Sequence, residues 1–209
     1  MHTRGFSHYF AAGLIGLCSC TTPGCHSPDR DDEPPKPSAV ASPRASKADQ
    51  FTLQFEGAEA LDFERHGDGF VIKSAGTKAW GTLKLDKDRV KLDQEGKETA
   101  KAKAKDYGFK VYDGDQELFK VKRKGSDYDV RRADDTPLGR FEAQAGRIGS
   151  EPVSLESTGD TSVLKRGGRT LVTVRGPLSA SATLMLAVTE ATLAQRLVMA
   201  CIVQEGIAP

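Results

Sequence analysis

Residues 109–121 read FKVYDGDQELFKV, and residues 128–141 read YDVRRADDTPLGRF. In each segment a run of alternating apolar and polar residues leads into a turn signal, and a second apolar run follows. Alternation with a period of two indicates a strand that is buried on one face, and a short turn between two such runs predicts a β-hairpin. These segments therefore predict antiparallel β-structure built from hairpins.

The hairpin unit repeats along the chain. Similar segments begin at spacings of 19, 20, 19 and 19 residues, and their first residues are Phe51, Phe70, Val90, Phe109 and Tyr128. The repeat blurs near Arg147, and a last hairpin fits residues 162–175. Because each unit contributes two strands, five clear hairpins and one or two blurred ones predict about twelve strands.

Residues 99–105, TAKAKAK, have two interpretations. Alanine and lysine both favour a helix. The strict alternation and the place of the segment in the repeat instead favour a strand, with Ala100, Ala102 and Ala104 on its inward face. On the same reasoning, alternation with Gly81 and Leu83 predicts that Trp80 faces outward.

The C-terminal region breaks the alternation. Residues 178–189 carry no charge and are apolar or small on every side, which predicts a helix surrounded by protein. Thr192 and Gln195 resemble a capping box that opens a second apolar stretch. We predict helices over residues 179–190 and 192–204.

A transmembrane helix over residues 178–203 is the competing interpretation. It would place Glu190, Gln195 and Arg196 near the middle of the bilayer, at a cost of several kcal/mol. This cost favours helices enclosed by protein.

Hairpins followed by a C-terminal helix that is apolar all round resemble the tubby, scramblase and LURP-one-related superfamily. The hairpins at 109–121 and 128–141 and the apolar segment 183–188 carry the resemblance, which covers roughly Phe51 to Gly206. It implies a mainly β fold with C-terminal α-structure, an antiparallel closed barrel of about twelve strands around a hydrophobic C-terminal helix. We expect this domain over residues 51–209. A barrel filled by its own helix has no lumen for a ligand, which counts against a lipocalin-like role.

The N-terminus predicts a lipoprotein signal peptide over residues 1–19. Arg4 precedes the apolar run FAAGLIGL at 10–17, which is too short to span a bilayer. Residues 17–20, LCSC, resemble a bacterial lipobox in which Cys20 receives the lipid; Cys18 fits less well because the bulky Leu17 precedes it. An ordinary secretory signal is the alternative. Thr21 after the cysteine favours the outer membrane, as in the sorting rule of enteric bacteria.

Residues 20–50 predict a lipidated cysteine followed by a disordered tether. The segment is rich in Pro, Ser and charged residues and cannot bury apolar surface. A metal site at Cys25 and His26 lacks further ligands nearby. A disulfide between Cys25 and Cys201 is possible in an exported protein, and the sequence leaves it open.

The composition excludes several functions. With 30 Lys+Arg against 29 Asp+Glu, the chain lacks the basic excess typical of nucleic-acid-binding proteins. His66 is the only histidine of the β region, and no hydrolase, zinc-protease or nucleotide-binding motif occurs. Calcium at Asp113, Asp115 and Glu117 would lack the remaining ligands of a known loop. We therefore predict no catalytic residue, no cofactor and no metal.

The candidate binding site is a basic patch on neighbouring strands. Its members are Lys120, Lys122, Arg123, Lys124, Arg131 and Arg132. The alternative is a solvated face balanced by nearby aspartates. We expect a membrane-anchored, non-enzymatic lipoprotein of the bacterial cell envelope whose barrel binds an anionic lipid, a glycan or an envelope partner. A structural or assembly adaptor that recognises only protein is the alternative, and the oligomeric state stays open.

Overall fold

The computed structural model describes residues 49–74 and 79–208. The predicted signal peptide, Cys20, Cys25 and nearly all of the predicted tether lie outside the described residues. Fourteen strands precede two helices. The strands are β1 (Gln50–Phe55), β2 (Ala60–His66), β3 (Gly69–Ser74), β4 (Ala79–Leu85), β5 (Arg89–Gln94), β6 (Lys97–Lys105), β7 (Gly108–Asp113), β8 (Gln116–Lys124), β9 (Asp127–Arg132), β10 (Pro137–Glu142), β11 (Ala145–Ile148), β12 (Glu151–Thr158), β13 (Thr161–Arg166) and β14 (Arg169–Arg175), and the helices are α1 (Ala180–Met185) and α2 (Leu193–Gln204).

The strands form one closed antiparallel barrel in which each strand pairs with its neighbours in sequence. The barrel closes between its first and last strands, where Leu53 lies opposite Val174 and Phe55 opposite Val172. The predicted fold class is confirmed. Closure leaves no unpaired edge strand that could pair with another chain.

The strand count is fourteen instead of about twelve. The five clear repeats are the five hairpins from β1–β2 to β9–β10, and the blurred region holds two more, β11–β12 and β13–β14. The blur has a local cause. The strand β11 has only four residues and buries a single large side chain, Ile148, and the next strand carries Pro152. A strand this short shows no alternation that a sequence pattern could detect.

Alternate residues of the strands face the interior, as the period of two predicts. The largest inward side chains are fully buried, among them Phe63, Phe70, Leu83, Phe109, Phe141 and Leu164. The TAKAKAK segment is part of β6, which confirms the strand interpretation. Its Ala100 and Ala102 are fully buried and Ala104 is half-buried. Small side chains here allow α2 to pack closely against β5, β6 and β7.

Both helices lie inside the barrel. Every residue from Leu197 to Ile202 is buried, so α2 contacts protein on all sides. The predicted capping box is present: Thr192 Oγ1 accepts from Gln195 N, and Gln195 Oε1 accepts from Thr192 N. The helix α1 packs against α2 and β12, and residues 182–188 are likewise buried. No helix among residues 49–74 and 79–208 is long and apolar enough to cross a membrane.

The first helix is shorter than the predicted 179–190. It ends at Met185, and a series of turns then joins it to α2. Val188 and Thr189 are β-branched, and such residues lower helix propensity where the helix would have continued. Because the chain reverses here, the transmembrane interpretation of 178–203 as one continuous helix is wrong.

The two ends of the barrel differ. We call the end where β1 begins the proximal end and the opposite one the distal end. The second helix starts at the distal end, beside Phe55 and Leu171, and finishes at the proximal end. There the carboxylate of Glu205 accepts a hydrogen bond from Arg65, and only 5% of the Glu205 side chain is exposed. This buried ion pair fixes the end of α2 to β2.

The turn between the helices is fixed at the distal end by Arg166 of β13. Its guanidinium contacts Glu190 at 2.9 Å, Glu151 at 2.6 Å and Thr189 Oγ1 at 2.7 Å. Only 14% of the Arg166 side chain is exposed. Both ends of the helical pair are therefore held to the barrel by an arginine.

Cys201 is a free cysteine buried in α2. Burial raises the pKa of its thiol, which keeps the group protonated and unreactive. The other half of the considered disulfide, Cys25, lies outside the described residues.

Candidate functional site

The structure brings together four of the six residues of the predicted basic patch. Lys120, Lys122 and Lys124 alternate along the outer face of β8, and Lys120 lies directly opposite Arg131 of β9. Arg123 and Arg132 do not join them. Arg123 lies opposite Tyr128, and Arg132 lies opposite Phe119. The side chains of Tyr128 and Phe119 point inward, so neither arginine is at an outward-facing position. Arg123 and Arg132 also lie at opposite ends of the β8–β9 pair.

Strand register extends the patch into a row that runs across five strands. Each member lies directly opposite the next one in the barrel wall, and we call this set the basic row: Arg89, Lys103, Lys110, Lys120 and Arg131. Neighbouring strands are about 4.8 Å apart, so the row is continuous along the wall. Like charges that lie directly opposite each other destabilise a sheet, which makes five in succession a costly arrangement.

Carboxylates border the basic row. Lys110 Nζ lies 2.5 Å from Glu117, and Lys120 Nζ lies 2.7 Å from Asp135. Arg89 contacts Asp88 at 3.0 Å and Asp86 at 3.6 Å. Four of the five cations thus have an acidic neighbour, since Lys103 also lies 3.7 Å from Asp88. These pairs lie at the surface, where solvent weakens them, so an incoming anion can compete with the carboxylates.

The hydrogen bonds between the lysines of the row and their carboxylate neighbours change the pKa values of both partners, in opposite directions. The bond from Lys120 to Asp135 raises the pKa of the ammonium and lowers the pKa of the carboxyl. The bond from Lys110 to Glu117 likewise raises the pKa of Lys110. Both lysines therefore stay charged at neutral pH, and the row keeps its positive character.

Arg131 differs from the other members because no described carboxylate lies within 4.0 Å of its guanidinium. Its Nη1 donates to the backbone oxygen of Asp135 at 3.4 Å, and its Nε is buried with no hydrogen-bond partner in the described structure. It lines a shallow groove of 380 Å³ together with Arg140 and Arg147. Arg140 contacts Asp127 at 2.8 Å and Glu142 at 2.9 Å. Arg131 is thus the member best placed to accept a new anionic partner.

The described residues offer little else for chemistry. No group of three or more metal-binding side chains occurs within residues 49–74 and 79–208. Glu117, one of the considered calcium ligands, is bound to Lys110 and Lys120. The predicted outward position of Trp80 also needs correction. The register shifts between Ile72 and Lys73 opposite it, and Trp80 is half-buried against the core at the distal end.

Sequence reasoning found Lys120 and Arg131 because they flank one tight turn at Gly125. It missed Arg89, Lys103 and Lys110, which lie far apart in sequence and meet only through strand register. It also considered Arg196 only as a cost of a membrane span. In the structure Arg196 donates to Leu186 O at 3.2 Å and its guanidinium carbon lies 5.2 Å from the centre of the Phe55 ring.

No protein-family model, curated protein or solved structure matches the chain. The resemblance to the tubby, scramblase and LURP-one-related superfamily therefore stays a prediction.

Proposed function

We propose that this protein is a non-enzymatic lipoprotein of the bacterial cell envelope, anchored in the outer membrane through Cys20, whose barrel binds an anionic glycan along the basic row. The single observation that carries the binding proposal is the row itself. Five cations lie opposite one another in neighbouring strands despite the repulsion between them. Neighbouring carboxylates offset part of the repulsion, and an anionic partner would relieve more of it.

The shape of the wall favours a flexible polymer over a flat membrane. Fourteen strands close the full circle, so the five strands of the basic row cover more than a quarter of the circumference. A planar bilayer touches so curved a wall along a narrow line and reaches few of the cations at once. A chain of negatively charged sugars can follow the curve from Arg89 to Arg131.

The filled interior of the barrel favours binding at its outer surface. The two helices fill the space in which other barrels hold a small ligand. The described part of the chain has one histidine, His66, at an exposed strand end. The interior therefore has no room for a substrate, which supports a binding role at the outer surface.

The lipid anchor is tested by replacing Cys20 with alanine in the full-length chain. Without the thiol no lipid can be attached, so we expect Cys20→Ala to leave the membrane fraction or to accumulate as the unprocessed precursor. Cys18→Ala is the matched control and should be processed as the unaltered protein is. A Cys20→Ala protein that is still processed and sediments with membranes would contradict the anchor.

Binding is tested with dextran sulfate as the anionic polymer and neutral dextran as its uncharged counterpart. The fragment 43–209 is suitable because it contains all the strands and helices that the structure describes, together with the described core. We expect the double variant Lys103→Gln/Lys120→Gln to weaken binding by roughly three- to thirty-fold, because two charge contacts with the polymer are lost. Added salt should weaken binding as well.

The matched control is Lys73→Gln/Lys165→Gln, which removes two lysines that also pair with a glutamate but lie outside the row. Equal losses in the two double variants would show non-specific attraction and overturn the basic row as a site. Binding to phosphatidylglycerol vesicles in preference to dextran sulfate would identify a lipid partner instead. Binding to neither would favour the protein-recognising adaptor.

A further inference from the structure

A cleft of 470 Å³ opens at the distal end of the barrel, on the side away from the basic row. Its walls come from the ends of β1 and β3, the starts of β2, β4 and β14, and the first turn of α2. The apolar lining residues are Phe55, Leu61, Trp80, Leu171 and Leu193. The volume lies within the range of about 300–1,000 Å³ that is typical of small-molecule sites.

Among residues 49–74 and 79–208, Arg196 is the only cation that lines this cleft. Among the described residues no carboxylate lies within 4.0 Å of its guanidinium. It donates to the backbone oxygen of Leu186, stacks near Phe55, and its Nε is buried with no hydrogen-bond partner in the described structure. Burial lowers the pKa of this guanidinium. Arg196 is half-buried. A partly desolvated cation without a counter-charge is unfavourable, and an anionic ligand would offset that cost.

Arg196 differs from the two strand arginines that contact the helical pair. Arg65 and Arg166, which hold the two ends of the helical pair, each contact at least two carboxylates. Arg196 holds no element in place through an ion pair. Its position beside an open apolar cleft therefore suits a ligand better than a structural role.

Two carboxylates, Glu56 and Glu59, also line the cleft, and both side chains are exposed. Solvent screens their charge, but they disfavour a ligand with more than one negative charge. The apolar walls require a ligand with a hydrocarbon portion, and they offer few partners for the amides of a peptide. The ligand that meets all these conditions has one negative charge at one end of an aliphatic chain.

We propose that the distal cleft binds an aliphatic monocarboxylate, with its carboxylate on Arg196 and its chain against Phe55, Trp80 and Leu193. The site is independent of the basic row. Each methylene that enters the cleft should tighten binding about fourfold until the cleft is full. A longer chain should then bring no further gain.

Trp80 reports on this site directly, because it is the only tryptophan of the chain and lines the cleft. The experiment titrates fragment 43–209 with octanoate, decanoate, dodecanoate and decanol while Trp80 fluorescence is recorded. We expect saturable changes with the carboxylates and at least about tenfold weaker binding of decanol, since a charged hydrogen bond contributes that much. Arg196→Gln should weaken decanoate binding by about 10- to 100-fold.

Arg175→Gln is the matched control because it removes an exposed arginine at the proximal end, and it should leave decanoate binding unchanged. Equal binding of decanol and decanoate to the unaltered fragment would overturn the proposal, and so would equal decanoate binding by Arg196→Gln. A fluorescence response without saturation, or none at all, would also overturn it. The comparison of decanol with decanoate decides the matter even if Arg196→Gln does not fold.

Discussion

A fragment that ends at Pro177 should fail to unfold cooperatively, although it retains all fourteen strands. It lacks the two helices, whose side chains fill the barrel; Leu184, Met185, Leu186, Leu197 and Met199 are each at most 1% exposed. An empty barrel would lose van der Waals contacts along every strand, and protein interiors do not tolerate such voids. The measurement compares thermal unfolding of fragments 43–177 and 43–209 by circular dichroism, without lipid or detergent.

Single substitutions in the helical region test the same idea with a smaller change to the core. Leu184→Ala and Leu186→Ala should each lower the free energy of unfolding by about 2–5 kcal/mol, because each leaves a cavity in a fully buried site. Leu138→Ala is the control, since Leu138 is half-buried at the barrel wall, and it should cost less than about 1.5 kcal/mol. If 43–177 melts cooperatively at the temperature of 43–209, the helices are not the core.

Replacing Glu205 with alanine should lower the free energy of unfolding by about 3–5 kcal/mol. The substitution removes the most buried partner of the Arg65 guanidinium at the end of α2, and removing one partner of a buried ion pair is strongly destabilising. Guanidinium chloride unfolding of fragment 43–209 measures the effect. The double variant Arg65→Ala/Glu205→Ala should lose less than the sum of the two single variants, because the charges disappear together.

Glu156→Ala provides the control for this ion pair. Glu156 contacts Lys165 with both carboxylate oxygens at 2.7 Å, but 62% of its side chain is exposed. We expect a loss below about 1 kcal/mol. Equal losses for Glu205→Ala and Glu156→Ala would show that the proximal pair contributes nothing beyond an ordinary surface contact.

Most of the barrel could be predicted because side chains on a strand point alternately inward and outward, so apolar residues recur at every second position in the sequence. Phe109, Val111 and Phe119 alternate in sequence and lie inside in the structure. Mostly exposed turns, most of them with Gly or Asp, separate the described strands, so hairpin boundaries are visible as well. The enclosed helices were predictable from the absence of a polar face. The short β11 and the shortened α1 were not, since neither leaves a periodic signal long enough to detect.

The candidate site was predictable only where it is local in sequence. Lys120 and Arg131 sit on the two arms of one hairpin, so their proximity follows from the turn at Gly125. Lys103 and Lys110 join them through a register that shifts between Val111 and Tyr112, and alternation alone does not encode such a shift. The cleft beside Arg196 requires the closed barrel and the position of α2, which no local pattern specifies.

The seam between β1 and β14 has a kinetic consequence. The hairpins form from contacts close in sequence, but Leu53 cannot pair with Val174 until nearly the whole chain is available. The helices that fill the interior follow the last strand, so the native core also assembles late. Until then both edge strands remain unpaired and prone to aggregate. If the proposed envelope lipoprotein crosses a membrane unfolded, this order delays stable folding until translocation is nearly complete.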